Sequence, residues 1–120
     1  MLVNLSNHPS SKWSKDQTEA ANSRFGEIID LPFPAVAPDG DENYIAALAD
    51  EYCNKVIELA GDAPVTVHLM GEMTLTFALV NSLTDKGVTC VASTTERIVK
   101  EIDNDHKNVF FQFVRFRNYL

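Results

Sequence analysis

The chain has 120 residues, with 10 Lys plus Arg against 17 Asp plus Glu, and a formal net charge of -7 at neutral pH. With 45% hydrophobic residues, 5 Gly and 5 Pro, it has the composition of one ordinary globular domain rather than a disordered or fibrous chain, and it is long enough to bury a core without staples. The acidic total excludes a protein that grips long nucleic-acid duplexes by counterion release over a broad basic face, and leaves room for a small anion held in a local pocket.

Met1 to Leu5 reads as a short strand, ended by the turn and cap residues Ser6-Asn7-His8-Pro9-Ser10-Ser11. Ser14 then caps a helix over about Lys15 to Phe25, with Gln17 at its third position as a capping box and Gly26 as its stop. Glu27 to Leu31 is a second strand, followed by a long loop through Pro32-Phe33-Pro34 and Pro38-Asp39-Gly40-Asp41. The segment Glu42 to Ala60 places Ile45, Leu48, Ala49, Tyr52, Val56 and Leu59 at helical spacing opposite a charged face, and Gly61 ends it. Val65 to Met70 is a β-rich run, Gly71-Glu72 breaks it, Thr74 to Leu83 is an apolar helix, and Val88 to Ala92 is a fourth strand. Strands separated by helices predict an α/β fold with a mostly parallel sheet covered on both faces. Arg97 to Ile102 and Val109 to Arg117 flank the turn-like Asp103-Asn104-Asp105-His106-Lys107-Asn108, which predicts a C-terminal β-hairpin, with a short helix over Glu96 to Ile102 as the competing reading.

Cys53 and Cys90 are too few and too far apart for a disulfide framework and read as buried free thiols. No basic leader and no run of about 18 apolar residues is present, so the expectation is a cytoplasmic protein without a membrane span.

In open parallel sheets, ligands bind outside the carboxyl ends of the strands, where the strand order reverses. That rule selects Ser6-Asn7-His8-Pro9, Gly71-Glu72-Met73-Thr74 and Ser93-Thr94-Thr95-Glu96-Arg97. Their hydroxyls, amide, imidazole, carboxylate and guanidinium describe a polar anion pocket. His8, just past a strand end, is suited to proton transfer near neutral pH. Lys12 and Trp13 follow the first loop, where an ammonium beside an indole can hold a phosphate and stack a base; burial of Trp13 as a hydrophobic staple is the equal alternative. Glu72 reads as a general base, a ribose-hydroxyl acceptor or a helix-start acid. His68 and His106 read as structural. Arg115 and Arg117 are expected to share one face of the last strand with Phe111 and Phe113, opposite Phe110, Val114 and Phe116. The sequence carries no GxGxxG, no Walker A, no Gly-x-Ser-x-Gly elbow and no spacing that suggests a metal cage, so no cofactor is expected.

Taken together, Asn4 through Trp13, Val67 through Thr74, Val91 through Arg97 and Phe113 through Tyr119 resemble small stand-alone CRISPR-associated proteins of the CARF type, from type III systems. The resemblance implies a single Rossmann-like domain over 1–120 and a homodimer that binds a cyclic oligoadenylate between its subunits. It further implies a ring nuclease, in which a ribose 2′-hydroxyl attacks the adjacent phosphate in line, without metal. Carried onto this chain, Ser6, Asn7 and His8 stand at the scissile phosphate, with His8 as acid or base. Lys12, Trp13, Glu72 and Thr74 line the ligand, Ser93, Thr94, Thr95 and Arg97 hold phosphates, and Gly71 lets the backbone approach closely. A non-catalytic sensor or sponge for the same ligand, and an unrelated Rossmann-like nucleotide hydrolase or transferase, are the other readings.

Overall fold

Short apolar runs cannot bury both faces alone, and here helices cover them. The computed structural model describes residues 1–120 as β1 (Leu2–Ser6), a 3-10 turn (Ser10–Lys12), α1 (Lys15–Phe25), β2 (Ile28–Asp30), α2 (Glu42–Ala60), β3 (Thr66–Met70), α3 (Met73–Asp85), β4 (Thr89–Glu101) and β5 (Lys107–Asn118). The sheet order is β2-β1-β3-β4-β5, with β1 to β4 parallel and β5 antiparallel to β4. The order reverses between β1 and β3, the switch point of a doubly wound sheet.

Each helix ends where its cap residues dictate. Ser14 Oγ accepts the Gln17 amide to open α1, Asp41 accepts the Tyr44 amide to open α2, and Gly26 and Gly61 close them at positive φ.

The period of two in the strands sorts the core into two layers. Val3, Leu5, Val67, Leu69 and Cys90 face α2 and α3, where they meet Cys53, Val56, Leu75, Leu79 and Leu83. Leu2, Val91 and Phe116 face α1, with Trp13 and Ala21. Both cysteines are buried and free, and burial pushes the Cys90 thiol up to about 11. No helix is long and apolar enough to cross a membrane.

The carboxyl half of β4 differs from the sequence expectation. A strand ending at Ala92 followed by a hydroxyl-rich loop is replaced by one strand of 13 residues through Glu101, so neither the separate loop nor the alternative helix over Glu96 to Ile102 exists. Val91, Thr94, Thr95, Ile98 and Val99 are β-branched and favour an unbroken strand. β4 pairs with β3 only from Thr89 to Val91 and with β5 as far as Glu101, so the two continue past the sheet as an arm.

The arm contains an irregularity that sequence periodicity does not reveal. Thr94 pairs with Arg115 and Thr95 with Phe113, which leaves Val114 as the extra residue of a β-bulge. The bulge resets the alternation, so Phe113 and Phe116, expected on opposite faces, lie on the same one with ring centroids 5.0 Å apart. Arg115, expected beside Phe113, faces the other way with Thr94.

Candidate functional site

The face covered by α1 carries a polar row where an apolar one is expected. Asn4 lies in register with Asp30 on one side and His68 on the other, so three polar side chains stand abreast across β2, β1 and β3. Ser6 and Ser93 lie beyond them toward the carboxyl ends.

Buried polar groups must be paired, and Asn4, Ser6 and His68, the buried members of this group, are. Asn4 Nδ2 donates to Asp30 Oδ1 at 2.8 Å and to the His8 carbonyl at 2.9 Å. Its Oδ1 faces Ser6 Oγ and His68 Nδ1, each at 2.8 Å. His68 Nε2 is 3.1 Å from Ser93 Oγ. The His8 carbonyl also accepts from the Trp13 indole at 3.1 Å, which folds the β1 to α1 loop back over the row. Burial works to raise the Asp30 carboxyl, but hydrogen bonds from Asn4 and Ser10 together outweigh it and hold the group below its ordinary value. For His68, burial and then the neighbouring His8 push the imidazole down to about 4, so it is neutral at pH 7. Trp13 and Phe116 set their rings edge-on to it at 5.2 and 5.6 Å.

Above the row lies a cleft of about 760 Å³ at the tips of β1, β3 and β4, inside the range of small-molecule sites. Of the residues singled out from sequence, Ser6, Asn7, His8, Lys12, Trp13, Gly71, Ser93 and Thr95 line it together, joined by Ser14, Gln17, His68, Met70, Phe111 and Phe113.

Four residues fall outside that lining. Glu72 caps α3, its carboxylate accepting from the Thr74 and Leu75 amides at 3.0 and 2.9 Å, and those amides hold it below its ordinary pKa. Thr74 Oγ1 is bound to the same carboxylate. Thr94 points to the opposite face, where its hydroxyl exchanges hydrogen bonds with the Arg115 backbone. Arg97 lies further along the arm, opposite Phe111.

Four of the eight sequence-selected residues inside the lining are engaged by the protein itself, Ser93 through its contacts with His68 and Met70. The buried Ser6 hydroxyl donates to Asn4 and accepts the His8 amide. Trp13 is 8% exposed, part of the smaller core cluster. A Cβ on Gly71 would stand 2.5 Å from the Phe33 ring, so the close approach that this glycine permits is that of a protein side chain. Asn7, His8, Lys12 and Thr95 remain as exposed polar groups.

Sequence reasoning missed Asn4 and Asp30 and assigned His68 a purely structural place. One signal was available: Asn4 and His68 are polar residues in the middle of otherwise apolar strands, and such groups require buried partners. The aromatic wall of Phe111 and Phe113 depends on the Val114 bulge, which leaves no mark in the sequence pattern.

This fold and cleft define a doubly wound α/β protein with a polar cleft at its switch point. The chain belongs to the family described as the uncharacterized protein MJ1673 family, whose model matches residues 1–117. No curated protein and no solved structure matches it.

Proposed function

We propose that this chain binds a cyclic oligoadenylate in the cleft and cleaves it as a ring nuclease of a type III CRISPR system. The observation that carries the reading is electrostatic. In a chain of net charge -7, the cleft lining includes no carboxylate, and it gathers Lys12, two histidines, hydroxyls and amides. That environment suits an anion with several hydrogen-bonding oxygens, and the adjoining Phe111 and Phe113 suit stacked bases. Cleavage by the ligand's own 2′-hydroxyl demands only alignment, proton transfer and charge stabilisation, which His8, Asn7 and Lys12 are of a kind to supply.

A second copy of the chain is the partner this reading requires, since a two-fold dimer offers each loop twice to a two-fold ring. A groove of about 460 Å³ lined by Met70, Gly71, Met73, Phe77, Val80, Tyr119 and Leu120 adjoins the cleft, sharing Met70 and Gly71 with it. Met73 and Phe77 are 84% and 71% exposed there, the kind of apolar surface that a subunit contact covers.

Ser6 and Trp13, held by internal hydrogen bonds, favour as second reading a protein that sequesters the ring without cutting it. The single Trp of the chain lines the cleft, so its fluorescence reports occupancy. Titration with cyclic tri-, tetra- and hexa-adenylate is expected to change it saturably for one ring size, and linear oligoadenylate to bind more weakly. No response and no heat with any ring contradicts both readings.

A further inference from the structure

The hydrogen bonds around Asn4 fix more than its position. Its two neighbours at Nδ2, a carboxylate oxygen and a backbone carbonyl, are acceptors only, so the amide is oriented with Oδ1 toward His68. An acceptor at 2.8 Å from His68 Nδ1 places the ring proton on Nδ1 and leaves the lone pair on Nε2. Ser93 Oγ, 3.1 Å from Nε2, therefore donates its proton to His68. The other acceptor within reach of that hydroxyl is Met70 Sδ at 3.2 Å, a weak one. His68 is 2% exposed and clamped by Trp13 and Phe116, whereas Ser93 lines the cleft. A hydroxyl facing the ligand space, a neutral imidazole behind it and an amide that sets the tautomer make the arrangement by which a serine hydroxyl exchanges protons with a histidine.

We propose that Ser93 is a catalytic residue of this site and that His68, held by Asn4, is the positioning residue that accepts the proton through it. The inference rests on the ring-nuclease reading. In the step, the ribose 2′-hydroxyl gives its proton to Ser93 Oγ as Ser93 gives its own to His68 Nε2. The 2′-oxygen bonds to phosphorus, the bond from phosphorus to the 5′-oxygen breaks, and that oxygen takes a proton from His8. The products are a 2′,3′-cyclic phosphate and a 5′-hydroxyl, with no water, metal or oxidant consumed. The low basicity of His68 is a consequence of burial and of the neighbouring His8, and a phosphate anion placed beside it raises its proton affinity as the reaction proceeds. His8 and His68 thereby divide the acid and base roles that one histidine would otherwise have to fill.

The test incubates the full chain with cyclic tri-, tetra- and hexa-adenylate in EDTA and compares Ser93→Ala, Ser93→Thr and His68→Gln with the unaltered protein. Ser93→Ala is expected to slow cleavage about 100-fold or more while ring binding changes less than about threefold, and Ser93→Thr to recover part of the rate. His68→Gln is expected to remove the rising limb of the pH–rate profile. Since His68→Gln perturbs a buried site, nitrogen-15 NMR of the unaltered protein reads the same residue independently, with the Nδ1–H tautomer expected at neutral pH. Cleavage by Ser93→Ala at the unaltered rate, or an Nε2–H tautomer, overturns the assignment and leaves the ring-nuclease reading standing. Intact rings with the unaltered protein overturn both.

Discussion

Asn4 and His68 are direct partners across the parallel pair β1 and β3, with Oδ1 of one 2.8 Å from Nδ1 of the other. Asn4 also contacts Ser6, Asp30 and the His8 carbonyl, so one side chain ties two neighbouring strands and a loop to its own. Removing it strands the buried Ser6 and His68 side chains at once. Asn4→Ala is expected to lower unfolding free energy by about 3 kcal/mol, whereas Asn7→Ala, on the exposed loop, should change it by less than about 0.5 kcal/mol. Urea unfolding followed by circular dichroism compares the two, and equal losses would contradict this role for Asn4.

Buried His68 makes stability depend on pH with a definite sign. Its proton affinity falls from an ordinary 6.5 to about 4 on folding, so between those values the unfolded chain holds a proton that the folded chain does not. The contribution is fully present above pH 6.5 and is lost as pH falls toward 4, by roughly 3 kcal/mol. Denaturant midpoints measured from pH 7 to pH 4 should fall in the unaltered protein and fall less in His68→Gln. Parallel curves for the two would exclude His68 as the group responsible.

Gly71 is held to glycine by Phe33, whose ring carbons lie 2.5 Å from where a Cβ would stand. Gly71→Ala should destabilise the fold by about 1–3 kcal/mol. Combining it with Phe33→Leu, which makes room at the cost of core contacts, should give less than the sum of the two losses. Additive losses in a double-mutant cycle would show that the clash is relieved elsewhere.

Lys12 is the one Lys or Arg side chain in the cleft lining. Lys12→Glu is expected to weaken cyclic oligoadenylate binding about tenfold or more, and to reduce the slope of log affinity against log salt by about 0.7 per lost phosphate contact. Calorimetry at several salt concentrations checks both. An unchanged slope would place the phosphates away from Lys12.

Local signals were strong enough to place the helices. Ser14, Gly26, Asp41 and Gly61 each act through their own backbone neighbours, so α1 and α2 begin and end where those residues demand. The arm was less legible, because the hydroxyl run Ser93-Thr94-Thr95 is equally at home in a loop or in a strand, and its pairing with β5 decided the matter. The row of Asp30, Asn4 and His68 comes from the register of three parallel strands, separated in sequence by 26 and 64 residues, and no local pattern encodes that register. The cleft was legible as a place, from the carboxyl ends of the strands, while Glu72 and Thr74 were lost from it to helix capping.

The central claim is cleavage of a cyclic oligoadenylate in this cleft, and the most direct measurement is chromatography and mass spectrometry of the rings after incubation with the purified chain in EDTA. The expected result is a linear oligoadenylate ending in a 2′,3′-cyclic phosphate and a 5′-hydroxyl, formed from one ring size and slowed by His8→Ala with binding largely retained. Rings recovered intact at every size, or cleavage that proceeds unchanged in His8→Ala and Ser93→Ala together, would contradict it.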